Sequence, residues 1–147
     1  MKTFVIAEAG SNHNGDFIKA KHLVDAALGA GASAVKFQSF KAEKLFSTKS
    51  HKVNSYDVFE LFKPYEINSK FMQDLNLYCK DVGIEFMCTP FDEEAVDSLY
   101  KMGIKRYKVS GFESTDLRFI KYVASTQLPI IVSAGLGCSI EFIGRII

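Results

Sequence analysis

The sequence predicts an α/β fold, a TIM-type (β/α) barrel present as an incomplete arc of about five βα units. Three observations predict it. Short apolar strand-like runs alternate with helical runs five times, and that alternation demands a parallel sheet. Polar residues recur at the C-terminal halves of those strands: Glu8, Lys36 with Gln38, Thr89, Lys108 with Glu113, and Ser133. A barrel places its chemistry on that face. Finally, no Gly-x-Gly-x-x-Gly follows the first strand, which weakens the competing doubly wound dinucleotide-binding sheet. A full barrel takes about 200 to 250 residues, and the 147 present correspond to roughly its first three-fifths.

The first strand is read at Phe4 to Ala7, four apolar residues that suit burial on both faces. Glu8 follows at once, and a carboxylate there is costly without a partner or a task. The turn "GSNHNG" then leads to Asp16, an N-cap for a helix with Phe17, Ala20, Leu23, Val24, Ala27 and Leu28 on one face. Gly29 and Gly31 stop that helix. A second strand spans Ala34 to Ser39, in which Lys36 and Gln38 point the same way and Phe37 points opposite. Buried lysines are rare without partners. Lys36 therefore either pairs with Glu8 or binds an anion.

A long irregular stretch is expected from Phe40 to about Ile67, a length associated with function or mobility. It carries Lys41, Lys44, Lys49, His51 and Lys52 against one acid, Glu43. These form either a solvated surface or the rim of a site for a small anion. Asn68 or Ser69 caps the next helix, which Gly83 closes. A third strand covers Ile84 to Cys88, and Asp92 caps a short helix ending at Gly103. "RYKVSGFE" is the fourth strand, and Asp116 caps the helix Leu117 to Thr126. "IIVSAG" is the fifth strand, and Ser139 begins a last helix.

Hydrophobic residues make up 48% and charged residues 24%, the balance of a soluble globular chain. A net charge of +1 offers no field for nucleic acid. Cys79, Cys88 and Cys138 match neither a metal spacing nor a disulfide framework, which suits a reducing, cytoplasmic setting. The N-terminal apolar run meets Glu8 too early for a signal peptide, and no run is long enough to span a membrane. His13, His22 and His51 show no ligand spacing, so no metal site is expected within the chain. His13 is read as a loop residue and His22 as a surface helix residue.

"IAEAGSNHNGD", "AVKFQSF", "TPFDEEAVDSL", "YKVSGFEST" and "PIIVSAGL", in that order, resemble the sialic acid synthase family, which includes the N-acetylneuraminate, pseudaminate and legionaminate synthases. The resemblance covers essentially the whole chain. It implies residues 1–147 as the N-terminal part of a (β/α)₈ barrel, without the later strands and the antifreeze-like C-terminal domain of family members. It also implies condensation of phosphoenolpyruvate with an N-acetylated amino sugar. In that reaction C3 attacks the sugar aldehyde, water adds at C2, and phosphate leaves with C–O cleavage. By motif match, Lys36 and Thr89 would hold phosphoenolpyruvate with Lys108 at its carboxylate, and Gln38 and Phe91 would line the pocket. Glu8 and Glu113 would be the catalytic carboxylates.

The fourth motif departs from the family pattern. Ser-Gly-Glu is usual there, with the Ser on phosphate, whereas "SGFE" puts Gly111 at the Ser position, Phe112 at the Gly position and Ser110 one place earlier. Ser110 is the candidate substitute on phosphate. A Phe before the Glu resembles pseudaminate synthases and points to a less polar sugar than N-acetylmannosamine. Cys88 stands where the family has Ser, a swap that packing tolerates. The family's divalent metal, Mn or Mg, is held by two histidines of later strands that this chain does not carry. An aldolase using Lys36 or Lys108 as a Schiff base is a competing reading. So is an inactive chain that acts as a homo-oligomer or pairs with a complementary fragment to cover its open sheet edges.

Overall fold

The structure is a computed structural model describing residues 3–46, 52–53, 56–135 and 138–146. Five parallel strands form the arc: β1 (Ile6–Gly10), β2 (Ala34–Ser39), β5 (Glu85–Pro90), β6 (Tyr107–Val109) and β7 (Ile130–Val132). β2 pairs with both β1 and β5, and β6 pairs with β7. β5 and β6 lie side by side. At their N-terminal ends Arg106 donates to the Glu85 carboxylate at 2.7 Å.

Alternation along the strands divides the molecule into two faces. Ala9, Val35, Phe37, Phe86, Cys88, Tyr107 and Val109 join the hydrophobic core. Covering that core are the helices α1 (Phe17–Gly29), α4 (Ser69–Val82), α5 (Glu93–Lys101) and α6 (Leu117–Ser125), which contribute Val24, Leu75, Leu99 and Val123. Phe37 stacks on Phe86 with ring centroids 6.0 Å apart. The intervening residues Glu8, Lys36, Gln38, Met87, Thr89 and Lys108 lie on the opposite face, toward the barrel interior.

The helices begin where the sequence places them. Asp16, Asn68, Asp92 and Asp116 each accept a backbone N–H of the first turn, a cap whose loss costs about 1 kcal/mol. Burial raises the Cys79 and Cys88 thiols to about 12, so both are inert packing groups.

Three expectations need correction. The first strand begins at Ile6, not Phe4: Phe4 and Val5 are 43% and 50% exposed, and the Phe4 ring instead receives the Arg106 guanidinium at 4.5 Å. The fourth strand stops at Val109, because the Ser110–Phe112 backbone turns into a short 3-10 helix, Glu113–Thr115.

Among the described residues, the stretch after Phe40 is not irregular. It forms α2 (Ala42–Leu45), an antiparallel pair β3 (Lys52–Val53) and β4 (Tyr56–Asp57), α3 (Val58–Phe62) and a 3-10 turn, Lys63–Tyr65. Ion pairs fasten it to the start of α5. Lys41 and Lys44 reach Glu94 at 2.9 and 3.0 Å, and Lys44 reaches Asp92 at 3.3 Å. Lys41 and Lys44 are thus occupied in holding the insertion down rather than presented to an anion. Lys49 and His51 lie outside the described residues. Among the described residues, no helix is long and apolar enough to cross a membrane.

Candidate active site

The interior face gathers the charged residues at the C-terminal ends of the strands. Register sets Glu8 of β1 beside Lys36 of β2, and a bulge at Ala9 follows immediately. Lys36 Nζ lies 2.6 Å from Glu8 Oε2 and donates to Thr89 Oγ1 of β5 at 3.2 Å. The lysine side chain is 7% exposed and the Glu8 side chain 56%. The anomalous carboxylate within β1 is therefore a half-exposed partner of a buried cation, so the desolvation cost expected for it falls on the lysine. Gly10 ends the strand just beyond the bulge. Its φ of +55° is the left-handed conformation that suits glycine, while a Cβ there would make only ordinary contact with Glu8.

Gln38 continues the face beyond Lys36. Its Oε1 accepts the Ser11 hydroxyl at 3.0 Å, so the loop after β1 is tied to the site. On β6, Lys108 Nζ donates to the Val109 carbonyl at 2.7 Å and to Ser133 Oγ at 2.5 Å. Burial depresses its pKa, as does the Lys36 charge, while Glu8 and Glu113 act in the opposite sense. Lys36, Glu8 and Glu113 thus all lie close enough to act on the Lys108 charge. Ser110 donates to the Glu113 carboxylate and accepts the Phe112 N–H at 3.2 Å, which closes the turn that presents Glu113.

A cleft of 630 Å³ adjoins this centre. Gln38 and Phe91 line it, along with Ser110 and Glu113. The eight residues singled out from sequence thus fall into two adjoining groups: Glu8, Lys36, Thr89 and Lys108 around the cations, and Gln38, Phe91, Ser110 and Glu113 around the cleft.

Sequence reasoning misses three contributors. Ser133 stands out in the sequence only for its strand-end position, yet it receives the Lys108 ammonium. Ser11 orients Gln38. His13, expected as a loop residue, is completely buried between Phe37 and Phe71, with Nδ1 accepting the Gly15 N–H at 2.9 Å and Nε2 unpartnered. The signal for it is present in "NHNG": Asn14 at φ 52° and Gly15 at φ 72° fold the turn so that the ring points inward. His22 is exposed on α1, as expected. Among the described residues no group of three His, Cys, Asp or Glu side chains is placed to hold a metal ion. The groups present do not by themselves make a metal site.

Residues 23–143 match the model of the NeuB family. This chain belongs to the NeuB family. N,N'-diacetyllegionaminic acid synthase of Legionella pneumophila is 40% identical to it, over 96% of this chain and 42% of the relative. Pseudaminic acid synthase of Campylobacter jejuni is 30% identical, over 95% of this chain and 43% of that relative. The crystal structure of N-acetylneuraminic acid synthetase from Leptospira borgpetersenii, in complex with citrate, superposes with a TM-score of 0.89 and 29% identity. That match covers 99% of this chain and 49% of the Leptospira chain. The chain thus spans less than half the length of the relatives it matches, and the barrel-type arc is the part shared.

Proposed function

We propose that this chain supplies the phosphoenolpyruvate-binding and sugar-engaging strands of a nonulosonate synthase. The carrying observation is the pair of interior lysines, Lys36 and Lys108, set among Glu8, Glu113 and Thr89 on one face. Phosphoenolpyruvate is a small polyanion, and two cations held in a partly dehydrated site suit it. Lys36, with Thr89, takes the phosphate, and Lys108 takes the carboxylate. Ser110 offers a hydroxyl in place of the serine that Gly111 displaces from the family pattern.

The chemistry joins C3 of phosphoenolpyruvate to the aldehyde carbon of an open-chain N-acetylated amino sugar. Water adds at C2, and the C2–O bond breaks as phosphate leaves. Glu8 and Glu113, as carboxylates at the edge of the site, are the groups able to orient the sugar hydroxyls and to move the protons of the aldol and hydration steps. In the family a divalent metal, Mn or Mg, assists at the sugar. Its ligands would lie outside this arc of strands, and the roles of Lys36, Thr89, Lys108, Glu8 and Glu113 do not depend on it.

A direct binding titration tests this reading. The purified chain should bind phosphoenolpyruvate, and Lys36→Ala should weaken the binding about 10- to 100-fold without lowering the melting temperature appreciably. Unchanged affinity in that variant would overturn it.

A second reading rests on the sheet edges. Among the described residues β1 and β7 each have one paired neighbour, and an open edge invites another chain. On that reading the residues form the N-terminal portion of a split barrel, completed by a second copy or a complementary fragment. Alone, such a chain would release no phosphate when given phosphoenolpyruvate, manganese and amino sugars. Phosphate release by a sized monomer would exclude it.

A further inference from the structure

We infer that Ser11 is a positioning residue that fixes Gln38 as a hydrogen-bond donor toward the site, an inference that rests on the synthase reading. A side-chain amide has two unlike ends, a carbonyl that accepts and an NH₂ that donates. The end that faces a polyanion decides whether the residue attracts it or repels it. Gln38 lies two residues beyond Lys36 on the same face of β2, about 6.6 Å further along the strand. Its Oε1 accepts the Ser11 hydroxyl at 3.0 Å, so the NH₂ end turns away from the loop. Among the described residues no group accepts from that NH₂, which leaves it to a ligand.

The loop that carries Ser11 clasps the end of β2 from both faces. On the interior face Ser11 holds Gln38, and on the core face the buried His13 ring lies against Phe37, the residue next to it. Turn bonds stiffen the loop between these contacts. Asn12 N–H donates to the Ala9 carbonyl at 3.1 Å, and Asn14 N–H donates to the Ser11 carbonyl at 3.1 Å. His13 Nδ1 accepts the Gly15 N–H at 2.9 Å. Gly15 in turn lies so close to the 3-10 turn Lys63–Tyr65 that a Cβ would stand 2.9 Å from the Pro64 carbonyl. Ser11 is therefore presented from a platform braced by strand, core and insertion.

Removing the hydroxyl gives the amide a competing partner. Glu8 Oε1 and Gln38 Oε1 stand 3.4 and 3.9 Å from the point that a Cβ on Gly10 would occupy, one on each side of it or both together. A released amide can turn its NH₂ toward the Glu8 carboxylate, and its carbonyl then faces the site. That change removes a donor and adds an acceptor where phosphate and carboxylate oxygens already accept. Ser11 holds off this arrangement without touching the ligand.

Calorimetric titration with phosphoenolpyruvate tests the assignment. Ser11→Ala should weaken binding about three- to tenfold, the scale of one neutral hydrogen bond. Gln38→Leu should weaken it at least as much, and Ser11→Ala should add nothing further in that background. Ser11→Thr keeps the hydroxyl, at a position of negative φ, and should restore the wild-type affinity. Glutamine-selective isotope labelling reads the amide itself by NMR, and the signal missing from Gln38→Leu identifies it. The wild type should give one sharp NH₂ pair for Gln38, and Ser11→Ala should broaden or double it. Full affinity in Ser11→Ala, a loss that persists in the Gln38→Leu background, or an unchanged Gln38 signal would overturn the proposal. A Gln38 signal that depends on Ser11, in a chain that binds no phosphoenolpyruvate, would support the positioning and overturn the synthase reading instead.

Discussion

Lys36 and Lys108 occupy equivalent places, each at the centre of a strand and each facing the barrel interior, but their surroundings differ. β2 is flanked on both sides, by β1 and by β5, and Lys36 is nearly sealed with a carboxylate 2.6 Å away. β6 pairs with β7, whose three residues are all only half-buried, and Lys108 is met by two neutral oxygens. The central cation has a carboxylate in contact; among the described residues the outer one touches only neutral oxygens, with Glu8 and Glu113 acting on it from farther off. A half-buried ammonium with no carboxylate in contact favours any process that brings one, and a bound carboxylate does so. On the proposed synthase reading the difference gives the two lysines unequal tasks: Lys36 is held in a fixed geometry, and Lys108 would gain its counter-ion from the ligand.

The largest effect should come from removing the compensated cation. If Lys36 takes the phosphate as proposed, Lys36→Ala deletes a charge-assisted contact to it, and such contacts are worth about 1.5–3 kcal/mol. Phosphoenolpyruvate affinity should therefore fall by about 10- to 100-fold in a calorimetric titration. The fold should survive, because the carboxylate left behind is more than half exposed to water. A large drop in melting temperature with unchanged affinity would make Lys36 purely structural.

Lys108 should show itself through pH. Its pKa is depressed by burial and by Lys36. Anion binding needs the charged form, so affinity is full below the lowered pKa and declines as pH rises through it, earlier than for an ordinary lysine. Phosphoenolpyruvate does not change its own charge in that range, since the second phosphate ionisation lies near pH 6. Lys108→Gln should lower affinity about tenfold and flatten the alkaline limb. The same depression affects stability with a definite sign. Below the folded-state pKa the buried charge is a constant cost, and that cost is relieved as pH climbs toward the ordinary value of 10.5.

Glu8→Gln converts the first environment into the second. It leaves Lys36 with Thr89 and a neutral amide, so inorganic phosphate should bind two- to fivefold tighter, about 1 kcal/mol or less for a pair open to water. Weaker phosphate binding would mean that Glu8 orients the lysine more than it neutralises it.

How much of this is legible in the sequence follows from which forces act locally. Asp16, Asn68, Asp92 and Asp116 cap helices by bonding within three residues, so sequence spacing reveals them. Lys36 and Gln38 share a face because a strand alternates, and that too is local. Family motifs place Glu8 next to this chemistry, although its exposure depends on which strands stand beside β1. The insertion looks irregular in sequence because its order comes from distant partners: Glu94 and Asp92 for the lysines, and Glu66 for the Ala42 N–H. Ser133 is picked out by its strand-end position, but its contact is not legible, since only the pairing of β6 with β7 brings it to Lys108.

His13 extends the comparison to a base with no counter-ion at all. Its ring lies on the core side of β2, against Phe37 and Phe71, and burial lowers its pKa from the ordinary 6.5. In the folded chain it stays neutral, with Nδ1 accepting from Gly15, while in the unfolded chain it takes a proton below pH 6.5. The unfolded state therefore binds more protons in the window just below 6.5. Stability is full above 6.5 and is lost as pH falls toward the lowered folded value, by at most about 1.4 kcal/mol per pH unit. His13→Asn isolates the effect, because an Asn carbonyl also accepts an N–H two residues on and does not titrate. Urea midpoints from pH 8 to 5 should run parallel above 6.5 and diverge below it, the wild type falling faster. Parallel curves throughout would show that the imidazole finds a proton-accepting partner in the fold, and the unpartnered Nε2 would have to be reassigned.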